Sequence, residues 1–79
     1  GEDALDALTR ARALLPADAE VAANLGVLWM GRGDWPRAHE ALRDAVRLQP
    51  RLAGAHNNLG NVLLALQRPD EALLAFETA

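Results

Sequence analysis

One spacing governs this chain. Ala23-Asn24-Leu25-Gly26 returns as Asn57-Asn58-Leu59-Gly60, an offset of 34 residues. Leu14 and Pro16 return as Leu48 and Pro50 at the same offset, and three further series obey it: Ala4, Ala38 and Ala72; Leu8, Leu42 and Phe76; Ala11, Ala45 and Ala79. Agreement of this kind at a single period points to stacked copies of one supersecondary unit, each too small to bury its own apolar face.

The unit is helical. Its apolar content comes mainly from alanine and leucine, both strong helix formers, while valine and threonine are few and isoleucine is absent. Breakers divide the chain into five stretches. The first runs from about Asp3 to Leu15 and stops ahead of Pro16. Asp18 is placed to cap a second, about Ala19 to Arg32, which Gly33 ends. Asp34 is placed to cap the third, with Pro36 in its first turn where a missing N–H costs nothing, and this helix runs to Leu48 ahead of Pro50. The fourth covers about Ala53 to Leu66, and Pro69 opens a fifth. Turns this short force consecutive helices into antiparallel packing. The expected fold is therefore all-α: stacked helical hairpins of about five antiparallel helices. Gly26, Gly60, Ala38 and Ala72 mark the points where helix axes approach most closely, since a glycine inside a helix costs about 1 kcal/mol unless close contact compensates.

These residues resemble the tetratricopeptide repeat, whose 34-residue unit carries a Trp, Leu-Gly, Tyr, Ala, Phe, Pro pattern. Leu25-Gly26 and Leu59-Gly60 match the Leu-Gly pair, Ala38 with Leu42 and Ala72 with Phe76 match the Ala and Phe places, and Pro50 closes the unit. Trp29 and Leu63 stand in the tyrosine slot, and Ala22 and His56 in the leading tryptophan slot, so the local core is smaller than the family pattern. The resemblance implies a right-handed α-α superhelix in which residues 1–18 are the second helix of a preceding repeat, 19–52 a complete repeat and 53–79 an incomplete one. It also implies a protein-interaction scaffold whose concave groove is lined by the first helix of each unit. The lining positions are Glu20, Ala23, Asn24, Val27 and Met30 in one repeat, and Asn57, Asn58, Asn61 and Leu64 in the next. Asn24 and Asn58 resemble the asparagine ladder of O-linked N-acetylglucosamine transferase repeat arms, where an amide serves a peptide backbone because it both donates and accepts. The plainer reading is that they cap local groups or face water. A clamp for a C-terminal carboxylate is set aside, because there is no lysine and the clamp's lysine place holds Ala23.

Chemistry of the chain's own is not expected. His39-Glu40-Ala41-Leu42-Arg43 begins like the zinc motif His-Glu-x-x-His but lacks its second histidine. There is no serine, no cysteine and no glycine-rich phosphate loop, so no catalytic residue, metal or cofactor is assigned. His39 is expected to face solvent, His56 to fill a core slot, and Trp35 to pack across its turn. The net charge of −3 and eight scattered arginines argue against nucleic acid as a partner, and no apolar run is long enough to span a membrane. Of the helical charge pairs, Asp6 with Arg10 is the attractive one.

Neither end carries the polar face of a capping helix. Leu5 and Leu8 at one end, and Leu73, Leu74 and Phe76 at the other, are expected to be open and to drive self-association into a homo-oligomer. Two alternatives stand beside the groove. The chain is the accessory arm of a bacterial enzyme of glycosyltransferase or sulfotransferase type, or it is a purely self-assembling repeat. Arginine and alanine richness fits a GC-rich bacterial genome, and a cytoplasmic location is expected.

Overall fold

The computed structural model describes residues 4–79 and folds them into five α-helices: α1 Ala4–Leu14, α2 Ala19–Gly31, α3 Trp35–Leu48, α4 Ala53–Ala65 and α5 Pro69–Thr78. Asp3, the expected start of the first helix, lies outside the described residues.

The capping residues act as their positions dictate. The Asp18 carboxylate accepts from the backbone N–H of Glu20 (3.0 Å) and Val21 (3.2 Å), and that of Asp34 accepts from Arg37 N–H (3.2 Å). At its other end, α2 closes through a six-residue turn. Gly33 N–H donates to the Met30 carbonyl, Asp34 N–H donates to the Trp29 carbonyl, and Gly33 takes φ +73°. The next unit repeats this turn. Gln67 N–H donates to the Leu64 carbonyl and Arg68 N–H to the Leu63 carbonyl, with Gln67 at φ 62° where the earlier unit has glycine. The second unit lacks both aspartate caps. Leu52 and Arg68 stand 34 residues after Asp18 and Asp34, and neither makes a side-chain cap.

Each helix packs on the next in sequence, and α2 also touches α4 directly. The even-numbered helices thus form one layer and the odd-numbered helices the other. The Cα envelope of 39 × 24 × 14 Å fits two helices in depth. Between the layers lie Ala22, Ala38, Leu42, Ala45, Ala55, Leu59, Val62, Leu63, Ala72 and Ala75, all buried. Two contacts set the layer spacing. A Cβ on Gly26 would lie 2.5 Å from Leu42 Cγ, and one on Gly60 would lie 2.6 Å from the Phe76 ring. The close approaches expected at these glycines are therefore present.

The outer layer is tied by charge. Arg12 on α1 donates to Asp44 Oδ2 on α3 at 2.9 Å and also to the Pro16 carbonyl, while Arg47 reaches Asp44 Oδ1 at 3.3 Å.

Several side chains sit elsewhere than expected. Phe76 is half-buried against Gly60 and the core, because it fills the place that Leu42 fills in the earlier unit, so it is not part of an open end. Leu5 and Leu8 are half-buried on the helix that packs against α2. The strongly exposed leucines are Leu14 (79%) and Leu15 near one end and Leu73 and Leu74 (65%) near the other. Trp35 is half-buried beside the core, as a side chain packed across its turn would be.

Candidate functional site

The inner layer carries the candidate groove. Residues on one face of α2 recur every three or four positions, which brings Glu20, Ala23, Asn24 and Val27 onto a single stripe. Because α4 runs beside α2 one repeat later, its first turns meet that stripe. Glu20, Ala23, Asn24, Val27, Leu52, Gly54, Ala55 and Asn58 enclose an open cleft of about 250 Å³. Asn24 and Asn58, related by the 34-residue offset, therefore share one cleft. Asn24 is exposed and Asn58 half-buried, Val27 is 46% exposed, and Ala55 lies at the base at 2%.

The remaining lining residues are placed further along. Asn57, Asn61 and Leu64 are exposed on α4 but outside the cleft, and Leu64 presents half of its surface. Met30 is half-buried against the core rather than open to a ligand. Leu52 and Gly54 complete the wall, and the sequence reading did not single them out. The signal for Gly54 was available, since it stands 34 residues after Glu20.

The histidines have other settings. His56 is half-buried and its Nε2 lies 2.8 Å from the Pro50 carbonyl, so the ring bridges the turn before α4 rather than only filling a core slot. His39 is half-buried rather than solvent-facing. Burial, followed by the positive charges of Arg43 and Arg68, lowers its pKa below 6.5, against an opposing effect of Glu71. It lines an outer-layer cleft of about 610 Å³ with Glu40, Arg43, Asp44, Val46, Arg47 and Leu59. The Asp44 carboxylate in this larger cleft is already engaged by Arg12 and Arg47. Among the described residues no three His, Cys, Asp or Glu side chains are grouped to hold a metal, and no helix is long and apolar enough to cross a membrane.

Solved structures share this architecture. MamA matches with a TM-score of 0.88 and 28% identity over 94% of this chain, and a second MamA structure with 0.87 and 29% over 95%. The second TPR of Spaghetti (RPAP3) bound to HSP90 peptide SRMEEVD superimposes with a TM-score of 0.91 at 24% identity, over 94% of this chain and 68% of that one, a likeness of fold. The chain spans 43% and 41% of the two MamA chains. A search of curated proteins returns no match. The tetratricopeptide repeat profile matches residues 30–79, from the end of α2 through α5. With the paired helices, the glycine contacts and the 34-residue period all in place, the chain belongs to the tetratricopeptide repeat family.

Proposed function

We propose that the inner face of α2 and α4 holds an extended segment of a partner protein, and that the chain works as an interaction scaffold with no catalysis of its own. The observation that carries this reading is the pairing of Asn24 and Asn58 in one cleft beside the exposed Val27. Two amides one repeat apart can each donate to a carbonyl and accept from an N–H of a bound backbone. The peptide held by Spaghetti's repeat domain, which has the same fold, supports a peptide as the kind of ligand. Selection from a displayed peptide library supplies a probe. The double variant Asn24→Ala/Asn58→Ala should then bind it about tenfold more weakly, since each neutral hydrogen bond contributes about 0.5–1.5 kcal/mol. Unchanged affinity in a variant that still folds sinks the groove reading.

A second reading, self-association, has its own support. Leu73 and Leu74 on α5 are 58% and 65% exposed, side by side. In this reading Leu73→Gln/Leu74→Gln removes concentration-dependent sedimentation that the parent chain shows. A finer version of the first reading makes the chain the accessory arm of a larger enzyme of glycosyltransferase or sulfotransferase type. The sequence run Ala55 to Asn61 supports it, and a catalytic domain in the same polypeptide decides it.

A further inference from the structure

Charge is divided unequally between the two layers. Across the whole of α2 and α4 the only Asp, Glu or Arg is Glu20. The eight arginines all lie on α1, on α3 or in the connecting turns. The cleft walls are accordingly amide (Asn24, Asn58), small or apolar (Ala23, Val27, Leu52, Gly54, Ala55), with a single carboxylate at Glu20. Glu20 is exposed, and among the described residues its carboxylate has no ion-pair partner. Arg51 lies in the turn before α4 but does not line the cleft.

A ligand carboxylate entering this cleft exchanges water for neutral amides and finds no cation to compensate it. A peptide backbone meets the opposite situation, because its own polar groups are neutral and match the two amides in both donor and acceptor sense. A cationic side chain near Glu20 gains a modest attraction at the rim. We infer that the groove selects an internal stretch of extended chain, neutral or basic, and discriminates against an acidic, free C-terminus. This selectivity rests on the proposed groove reading and adds to it the class of partner segment.

Fluorescence anisotropy with four labelled probes tests it: SRMEEVD with a free C-terminus, the same peptide amidated, and two amidated heptapeptides of Ser, Thr, Val and Leu that differ in one central Lys or Glu. Amidation should leave the affinity for SRMEEVD unchanged or improve it. The lysine probe should bind about two- to fivefold more tightly than the glutamate probe at low salt, and Glu20→Gln should abolish that difference. Binding of free-acid SRMEEVD about tenfold tighter than its amide, the size expected of a charge-assisted contact, overturns the inference. So does equal or tighter binding of the glutamate probe. Asn24→Ala/Asn58→Ala separates the two levels. If it weakens the lysine probe while the charge preference is absent, only the selectivity fails. If it leaves a measurable affinity unchanged, or if no probe binds at all, the groove reading fails and the selectivity falls with it.

Discussion

Gly26 and Leu42 share one volume: the hydrogen face of the glycine is filled by the leucine, and a Cβ there would sit 2.5 Å from Cγ and 2.9 Å from Cδ2. Leu42 is fully buried, so it has nowhere to retreat. Gly26→Ala should therefore lower stability by about 1–2 kcal/mol, overpacking outweighing the helix propensity that alanine adds. Leu42→Ala should cost about 2–5 kcal/mol. Combining the two should cost less than their sum, because the new methyl occupies part of the space the leucine leaves. Urea denaturation of the four species measures this coupling, and strict additivity contradicts the contact.

The equivalent pair one repeat later should behave differently. A Cβ on Gly60 would meet three atoms of the Phe76 ring at 2.6–2.8 Å, but Phe76 is only half-buried. The ring can swing toward solvent. Gly60→Ala should thus destabilise by less than Gly26→Ala, and the fluorescence-silent ring displacement should appear as shifted aromatic resonances of Phe76 in NMR spectra.

The turn from α4 to α5 is open to repair. Gln67 holds φ 62°, a conformation that costs an L-residue about 1–2 kcal/mol and a glycine little. Gln67→Gly should raise stability by about 0.5–1 kcal/mol after the added freedom of the unfolded chain is counted. Arg68→Ser should contribute a similar amount by supplying the missing side-chain cap, with Glu71 three residues on positioned to return the bond. The exposed Arg68–Glu71 ion pair that this change removes, at 3.7 Å, is worth little. Thermal melts of each variant check both expectations.

Acid should loosen the fold through His39. Its folded-state pKa lies below 6.5, chiefly because of burial and then Arg43 and Arg68, with Glu71 acting the other way. As pH falls below 6.5 the unfolded chain takes up a proton that the folded chain still refuses, so stability declines until the lower folded-state pKa is reached and then levels. His39→Gln should flatten this part of the stability profile. Equal slopes for the two proteins across that window contradict the assignment.

The helices were legible because their ends are written in residues with strong local preferences: Pro16, Pro50 and Pro69, Gly33, and the capping Asp18 and Asp34. The groove was legible to the extent that it follows the period, which is why Asn24 and Asn58 fall into the same cleft. What escaped the sequence reading lies where a residue departs from the period or where contact depends on a third element. Gln67 occupies Gly33's conformation without Gly33's chemistry, held there by two backbone hydrogen bonds that any residue can make. Phe76 was expected at an open end although its period partner, Leu42, points inward. His39 is half-buried rather than solvent-facing, in a field to which Arg68 and Glu71 of the α5 region contribute. The Arg12–Asp44 pair is separated by 32 residues rather than 34, so no periodic search finds it.

That pair also alters how the array should come apart. In a stack where every element touches only its neighbours, unfolding proceeds by fraying, each terminal helix leaving independently of all but the next. Arg12 reaches past α2 to α3, at 2.9 Å, and Asp44 at the same time holds Arg47. Detaching α1 therefore also breaks a contact on the surface of α3 that packing of neighbouring helices alone would not supply. The bridge adds a direct link from α1 to α3, and hydrogen exchange should report a modest loss of protection in α1, about 0–1 kcal/mol, when Asp44 is replaced by Asn.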